Sequence, residues 1–261
     1  MNKPFHSVIQ RHAHMIFDME RSLSLLRAIT KKVKPGDVVV DVGCGLGLLS
    51  FAACHAGAKR VYAMDVDGEA LEFAQWQAEQ LGMEKKICFL EDHSFNVELI
   101  EKADVLIQET VGPLAFDENF IPTLEDAKKR FLKPKGKIIP EEVALYGAPV
   151  DRKKNLLIKP SPLFRIKTKS PLQKYVKGIH IKKRWSLSRG AGHFAGVLAW
   201  PYVVWTKGCV TDCAPNKKPT HWEQTFFPVS KNQKVAATFW LNILPHPEDP
   251  LHYSEIEWKI A

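Results

Sequence analysis

The sequence predicts a two-part chain: an α/β part with a parallel sheet, followed near residue 140 by an all-β part. Up to that point strand-like and helix-like segments alternate, a pattern typical of a doubly wound sheet. Beyond it strand-like segments follow one another with no strong helical pattern, which favours a sandwich or barrel. The 261 residues, 45% of them hydrophobic, are enough for one or two cores.

The first segment, residues 1–35, is predicted to be a helical element that precedes the α/β domain. Apolar side chains in residues 14–30 have the spacing of one amphipathic helix that ends near Pro35-Gly36. The α/β domain is then expected over residues 36–140 and the β domain over residues 141–261.

The α/β domain is built from short apolar runs and amphipathic stretches in turn. Strands are predicted at residues 38–41, 60–65, 86–91 and 103–109, and helices at residues 48–56 and 70–81. Residues 132–140 contain prolines and a glycine, so we expect them to interrupt regular structure and form the junction.

The β domain is expected to use several strands with one face in solvent. Strands are predicted at residues 143–150, 193–205, 222–229, 235–244 and 253–260. Residues 151–185 hold twelve Lys/Arg and a single acid, Asp151, which gives a local charge of +11 within a chain of net +8. This segment can be a basic contact surface for nucleic acid or an acidic protein, or simply strands with a wet face, and the second explanation is favoured.

Composition indicates a cytoplasmic enzyme. No apolar run reaches the length of about 20 residues needed to cross a bilayer, and the start Met1-Asn-Lys-Pro-Phe-His lacks an apolar signal core. The five cysteines are odd in number and scattered, so reduced thiols are expected, and no spacing indicates a zinc site.

A glycine loop after the first strand predicts a nucleotide-like cofactor. Gly43, Gly45 and Gly47 follow Asp41 at the strand end, and glycines there let the backbone approach a ligand closely. The spacing differs from the dinucleotide pattern and is the one seen in class I methyltransferases that use S-adenosylmethionine. Asp65 ends the second strand, where an acid can bind ribose hydroxyls; Asp92 either contacts the adenine edge or is an ordinary turn residue.

Two glutamates predict a cationic substrate beside that cofactor. Glu109 and Glu118 flank a short loop containing Gly112 and Pro113. Guanidinium is planar and is bound best by carboxylates in bidentate pairs, so the two acids can hold it from two sides.

On these residues the chain resembles the protein arginine N-methyltransferase family, in which two glutamates flank such a loop. Two further motifs agree: His12-x-x-Met15-x-x-Asp18-x-x-Arg21 is similar to the family's cofactor-lid helix, and Thr220-His221-Trp222 is similar to its Thr-His-Trp loop. The resemblance covers about residues 12–245 and implies a Rossmann-like domain followed by a barrel-like domain.

The resemblance also implies roles for individual residues. Arg21, on the lid with His12, would bind the cofactor carboxylate, and Met15 would lie near the acceptor nitrogen. Asp18 and His221 would form a pair that orients the site or relays a proton, and Trp222 would wall the substrate pocket. Taken singly, these residues also fit a surface ion pair, a loop residue and barrel core.

The chain departs from the family pattern in two places. Thr110, Val111 and Pro113 replace larger family residues between the glutamates, which remodels the substrate entrance. Residues 149–169 contain nothing like the family's helical dimerisation arm, which argues against the family type of homodimer.

The sequence therefore predicts an S-adenosylmethionine-dependent methyltransferase for arginine in a protein or peptide. The alternatives are methylation of a small guanidine or amine metabolite and a cofactor-binding scaffold without catalysis. Nucleic-acid methylation is disfavoured, because it draws only on the basic segment.

Overall fold

The computed structural model describes residues 5–187, 193–229, 236–245 and 254–260. They form two compact units, the first made of residues 1–110, 123–141 and 204–211 and the second of residues 111–122, 142–203 and 212–261. Both units are discontinuous, so the sequential division at residues 35 and 140 stays a prediction. No helix among the described residues is long and apolar enough to cross a membrane.

The first unit is built on a parallel sheet whose strands alternate with helices, as the sequence predicts. Its strand order is β3-β2-β1-β4-β5. The helices are α1 (Phe5–Ile16), α2 (Met19–Lys32), α3 (Leu48–His55), α4 (Gly68–Gln80) and α5 (Phe120–Arg130), and the strands are β1 (Val38–Val42), β2 (Arg60–Asp65), β3 (Ile87–Glu91), β4 (Ala103–Gln108) and β5 (Leu132–Ile139).

The sheet is buried on both faces, which explains its apolar strands. All five residues of β1 are buried, and Val105, Leu106 and Ile107 of β4 are fully buried. A continuous apolar run is what a parallel strand covered on both sides requires. Polar loops follow the carboxyl ends of β1, β2 and β4.

The single helix predicted over residues 14–30 is wrong. The structure has two helices, α1 and α2, that are separated at Phe17 and Asp18. The Asp18 side chain accepts a hydrogen bond from the Arg21 backbone N–H at 3.0 Å, and such an N-cap stabilises a new helix start by about 1 kcal/mol.

Two further differences concern the region before residue 140. Residues 132–139 form the edge strand β5, which pairs with β4 in parallel, but the register shifts between the pairs Ala103–Leu132 and Val105–Lys137, so the expected interruption takes the form of an irregularity inside a strand. No helix is predicted from the sequence over residues 120–130, where the structure has α5, although Phe120, Leu124 and Ala127 are buried on one helical face.

Beyond residue 141 the described residues are all-β apart from one short 3₁₀ turn at Gln173–Tyr175. They make up most of the second unit, although residues 204–211 belong to the first. One sheet has the order β10-β9-β6-β7 with β11 on β9, and a three-stranded sheet has the order β13-β12-β8. The strands are β6 (Glu142–Val150), β7 (Ser161–Lys167), β8 (Ile179–Ser186), β9 (Gly196–Thr206), β10 (Cys209–Asp212), β11 (Thr225–Pro228), β12 (Ala236–Pro245) and β13 (Ser254–Ile260).

The strand predictions for this part are largely confirmed. β11 is shorter than the predicted segment 222–229, while residues 235 and 253 lie outside the described residues. Strand β8 alternates between buried and more exposed side chains, and β7 does so in part, so the explanation as strands with a wet face is confirmed for residues 161–167 and 179–185 of the basic segment.

Candidate active site

The glycine loop lies between β1 and α3 and has the backbone that only glycine adopts readily. Gly43, Gly45 and Gly47 have φ values of +72°, +51° and +82°. A Cβ at Gly43 would lie 2.9 Å from the Thr110 Cγ2 atom, and one at Gly47 would lie 2.9 Å from the Phe51 ring. The loop is therefore fixed by close packing against neighbouring side chains.

Asp65, at the end of β2, ties this loop to the next one. One carboxylate oxygen accepts from the Gly45 N–H at 2.7 Å and the other from the Asp67 N–H at 3.0 Å. A carboxylate has about four acceptor positions, so two hydrogen bonds leave capacity for hydroxyl donors. This fits the predicted ribose role.

Asp41 does not present its side chain to a ligand. It is 0% exposed, and its Oδ2 accepts from the Ser50 hydroxyl at 2.7 Å. Burial raises the pKa of Asp41 to about 7, with the nearby charge of Asp65 adding to the effect. Asp41 is placed to support the loop from beneath.

Asp92 follows β3 on the surface. Its Oδ1 accepts from the His93 N–H at 2.7 Å and from the Asn96 side-chain amide at 2.8 Å. These hydrogen bonds, that from Asn96 foremost, lower the pKa of the Asp92 carboxyl. The contacts are those of an ordinary turn residue, and the adenine role stays a prediction.

His12 and Met15 lie on α1, which packs over the glycine loop. The His12 ring is 3.5 Å from where a Cβ of Gly45 would lie, and its Nδ1 is hydrogen-bonded to the Val8 carbonyl at 2.9 Å. The Arg11 guanidinium joins the same helix to Asp67 and Glu69 at 3.0 Å each. Helix α1 thus covers the loop as a lid would.

Arg21 and Glu109 form a buried ion pair. Their side chains are only 8% and 7% exposed, and an Arg21 Nη atom contacts a carboxylate oxygen of Glu109. Arg21 lies in the first turn of α2, fixed by the Asp18 cap, and Glu109 follows β4. The predicted cofactor-binding arginine and the predicted catalytic glutamate are therefore direct neighbours.

Glu118 lies in the second unit on a tightly held loop. The loop is pinned by Asp117, whose Oδ1 accepts from the Leu114 N–H at 2.9 Å, and by the bond from Ala115 N–H to the Gly112 carbonyl at 2.8 Å. Ala115 and Asn119 both have positive φ, +67° and +56°. Such backbone conformations in non-glycine residues cluster at functional sites, and Glu118 itself is exposed.

The Thr-His-Trp segment is also in the second unit. The Thr220 hydroxyl donates to the Trp222 carbonyl at 3.1 Å, and the His221 and Trp222 rings have centroids 4.7 Å apart. The Trp222 side chain is buried, and Gln224 donates to the Cys213 carbonyl at 2.9 Å. The turn is rigid and presents His221 next to a buried indole.

The structure thus assembles the predicted site in two sets. The glycine loop, Asp65, His12 and the Arg21–Glu109 pair are together in the first unit, whereas Glu118, His221 and Trp222 are in the second. Glu109 and Asp18 belong to one compact unit, and Glu118 and His221 belong to the other. The pairings of Glu109 with Glu118 and of Asp18 with His221 stay predictions.

Sequence reasoning missed Asp117 as the residue that shapes the loop. Burial raises the pKa of the Asp117 carboxyl, and the residue accepts only backbone N–H bonds among the contacts described for it. Its one signal in the sequence is a third acid, two residues after Ala115 and immediately before Glu118.

Comparisons with known proteins agree with this arrangement. A family model described as ribosomal protein L11 methyltransferase (PrmA) matches residues 22–141. The chain is 38% identical over 150 residues to "Probable protein arginine N-methyltransferase 6" of Arabidopsis thaliana, covering 56% of this chain and 34% of that protein. It is 33% identical over 217 residues to "Probable protein arginine N-methyltransferase 6.2" of Oryza sativa subsp. indica, covering 80% and 53%. The chain thus spans about half, or less, of the length of these relatives.

Solved structures share the fold over nearly the whole chain. The Trypanosoma brucei PRMT1 enzyme-prozyme heterotetrameric complex with AdoHcy matches with a TM-score of 0.84 at 18% identity and covers 99% of both chains. Arabidopsis thaliana protein arginine methyltransferase 10 matches with a TM-score of 0.83 at 16% identity, covering 97% of both chains. PRMT6-SAH matches with a TM-score of 0.82 at 19% identity, covering 97% of this chain and 100% of that chain.

Together these observations define a class I methyltransferase fold, with a Rossmann-like domain followed by a barrel-like all-β domain. Within that class, the chain resembles the protein arginine N-methyltransferases, both in sequence and in fold.

Proposed function

We propose that this protein is an S-adenosylmethionine-dependent N-methyltransferase that acts on a guanidinium nitrogen of arginine in a protein or peptide. The observation that carries the proposal is the buried Glu109 carboxylate, which is already in contact with a guanidinium group, that of Arg21. The names of the relatives, and the AdoHcy and SAH in the structural neighbours, support the same chemistry.

The first unit has the groups that such a cofactor requires. The glycine loop offers close backbone approach, Asp65 has free acceptor capacity for ribose hydroxyls, and His12 covers the loop from α1. Arg21 would bind the amino-acid carboxylate. When bound, the cofactor supplies a methyl group on a cationic sulfonium, which is a strong electrophile.

The role of the glutamates is to bind and polarise the acceptor. A carboxylate that concentrates the positive charge of a guanidinium on two of its nitrogens leaves the third more nucleophilic. The displacement is in line, so alignment of the acceptor nitrogen with the methyl group dominates the rate. Arg21 contributes as a positioning residue, since its first-turn guanidinium fixes the Glu109 carboxylate in one orientation.

The matched test replaces Glu109 and Glu118 separately by glutamine and measures methyl transfer and cofactor affinity. We expect either change to lower transfer by at least about a hundredfold while cofactor affinity changes little. Glu84→Gln, an exposed glutamate after α4, is the control and should leave both unchanged. Loss of cofactor binding without a specific loss of transfer would contradict the proposed guanidinium clamp.

The acceptor is proposed to be arginine within a polypeptide rather than a free metabolite. Labelled-methyl transfer to arginine-containing peptides, compared with free arginine and small guanidines, distinguishes the two. Label in the peptides alone supports the proposal, and label in the small molecules alone favours the metabolite. Absence of transfer to every acceptor, with cofactor bound, favours a non-catalytic scaffold.

The proposal also covers the oligomeric state of the protein and its location in the cell. The expectation that the family type of arm-mediated homodimer is absent rests on residues 149–169, which have no arm-like helical pattern in the sequence. None of the five cysteines is in a disulfide, which fits a reducing cytoplasm. Sedimentation of the purified chain would reveal an arm-type dimer and thereby contradict the first expectation.

A further inference from the structure

The face of the three-stranded sheet β13-β12-β8 carries an indole framed by cations. Trp240 on β12 is paired with Lys182 on β8 and with Lys259 on β13. Their ammonium groups lie 5.5 and 6.0 Å from the centroid of the Trp240 rings. Both lysines are exposed, and cations at this distance from an aromatic face attract it.

The residue pairs on either side of Trp240 along the sheet carry opposite charges. Arg184 is paired with Thr238 on one side of the indole, so three cations surround that end. On the other side the Asn242 Oδ1 atom accepts from the His180 Nδ1 atom at 2.9 Å, and the Asn242 amide nitrogen donates to Glu257 at 3.0 Å. Glu255 follows one rung further along, so the far end is acidic.

An open depression of about 420 Å³ lies at the β12–β13 side of this sheet and is lined by Trp240, Asn242, Glu257 and Lys259 of this face and by Trp258 of the edge strand β13. That volume lies within the range of about 300–1,000 Å³ that is typical of small-ligand sites. The depression combines flat indole surface, a cation, an amide and a carboxylate.

We propose that this depression and its basic rim bind single-stranded nucleic acid. Bases stack on accessible aromatic rings while flanking lysines and arginines neutralise the phosphates. Trp240 is partly exposed, and Lys182 and Lys259, which lie over its ring, would turn to the phosphates when a base stacks there. A base edge with an amino group can donate to a carboxylate, which gives Glu257 a favourable partner. Lys182 belongs to the basic segment 151–185, so this binding would give part of that segment a function in addition to its place on the exposed face of strands.

An acidic peptide fits the same face less well. Its carboxylates would satisfy the lysines but would leave the indole without a flat partner. Further along the strands the carboxylates of the peptide would meet those of Glu255 and Glu257, and the like charges would repel each other. A single strand can instead run its phosphates along the basic end and turn its base edges to the acidic end.

The test uses the full chain and a fluorescein-labelled oligocytidine of about twelve nucleotides, a length within known site sizes, with binding followed by anisotropy. The logarithm of the binding constant should fall with that of salt concentration with a slope of about −2, since each neutralised phosphate of a single strand contributes about −0.7. Lys182→Glu with Lys259→Glu should weaken binding at least tenfold, whereas Lys169→Glu, an exposed lysine in the turn after β7, should change it less than twofold.

Two further variants test the stacking and the base edge. Trp240→Leu should weaken binding about tenfold, as expected for loss of one stacked base, with far-UV circular dichroism confirming that the variant is folded. Oligocytidine should bind more tightly than oligouridine, which lacks the amino group, and Glu257→Leu should remove that difference. Methyl transfer, measured in parallel, should be unchanged in all of these variants, so the proposal stands or falls independently of the proposed enzyme activity.

The proposal is overturned if the oligonucleotide does not bind, or if Lys169→Glu weakens binding as much as the Lys182 and Lys259 changes do, which would indicate attraction to the net charge of the chain alone. Polyglutamate that binds as tightly as the oligonucleotide and displaces it, without dependence on Trp240, would assign the face to an acidic protein instead.

Discussion

The residues at the end of β4 and the loop that follows in the second unit hold their carboxylates in different ways. Glu109, in the first unit, is buried against the Arg21 guanidinium. Asp117, in the second unit, accepts a backbone N–H from Leu114, and burial raises the pKa of its carboxyl. A buried acid with a cationic partner is stabilised as an anion, whereas backbone N–H groups compensate only part of the desolvation.

The difference separates two uses of an acid. Glu109 is an anion prepared for a planar cation, which is what guanidinium binding needs. Asp117 instead fixes the shape of a loop that also contains positive-φ residues, Ala115 and Asn119, and so determines where Glu118 is presented. The Glu109 carboxylate is held by a charged partner, whereas the Asp117 carboxylate is held by the backbone of its own loop.

Breaking the charged pair should have the largest effect. Arg21→Met leaves the Glu109 carboxylate buried without its cation, and loss of one partner of a buried pair costs about 3–5 kcal/mol of unfolding free energy. The double variant Arg21→Met with Glu109→Gln should recover about 1–3 kcal/mol, since the two residues are in contact. Urea unfolding measures both, and Arg27→Met, an exposed arginine of the same helix, should cost little. Strict additivity of the two changes would contradict the pairing.

A third carboxylate, Asp41, sharpens the comparison because it is buried with a hydroxyl instead of a cation. The pKa of Asp41 is raised to about 7 in the folded protein, chiefly by burial, above about 3.9 in the unfolded chain. Its stabilising contribution is therefore fully present below about pH 4 and is lost as the pH rises through about 7.

Asp41→Asn keeps an acceptor for Ser50 and removes this titration. Relative to the parent, the variant should gain on the order of 1 kcal/mol of unfolding free energy for each pH unit between about 4 and 7, with no further gain above pH 7, so the variant should compare better with the parent at pH 8 than at pH 5. Unfolding free energies at the two pH values provide the check. Asp65 and Cys44 also face this carboxylate, so the difference between variant and parent is the quantity to compare, and a difference independent of pH would contradict the assignment.

The glycine loop should respond to a single methyl group by an intermediate amount. Gly47→Ala and Gly82→Ala both place alanine at positive φ, +82° and +63°, which costs about 1–2 kcal/mol each. Only Gly47 would bring its Cβ to 2.9 Å from the Phe51 ring, whereas Gly82 has nothing within 4 Å. We therefore expect Gly47→Ala to cost about 1–3 kcal/mol more, measured by thermal unfolding. Equal costs would show that packing does not fix the loop.

The smallest effect on stability is expected in the second unit. Asp117→Ala removes the acceptor of the Leu114 N–H and should cost about 1 kcal/mol. Because Glu118 is the next residue, methyl transfer should fall at least tenfold through misplacement of its carboxylate. Asp117→Asn retains an acceptor and should preserve most of both. An alanine variant with normal transfer would remove Asp117 from the positioning role.

Local patterns made much of the fold predictable. Apolar strands of the parallel sheet, the glycine loop and the alternation in β7 and β8 all depend on neighbours within a few positions. The unbroken helix over residues 14–30 was wrong because the apolar spacing continues past Asp18, while the capping hydrogen bond that divides α1 from α2 has little periodic signal. Strand β5 was missed because its Pro134 and Gly136 normally disfavour strands, which an edge position tolerates.

The candidate site follows the same division. The sequence by itself predicted the chemistry, because the types and spacing of Gly43, Gly45, Gly47, Glu109 and Glu118 favour a nucleotide-like cofactor and a cation as ligands. Only the tertiary structure decided that Arg21 meets Glu109, that Asp41 is buried beneath its loop and that Trp240 stands between two lysines. These contacts join residues far apart in the chain, and their free energy comes from desolvation and charge pairing that form only when distant segments pack together.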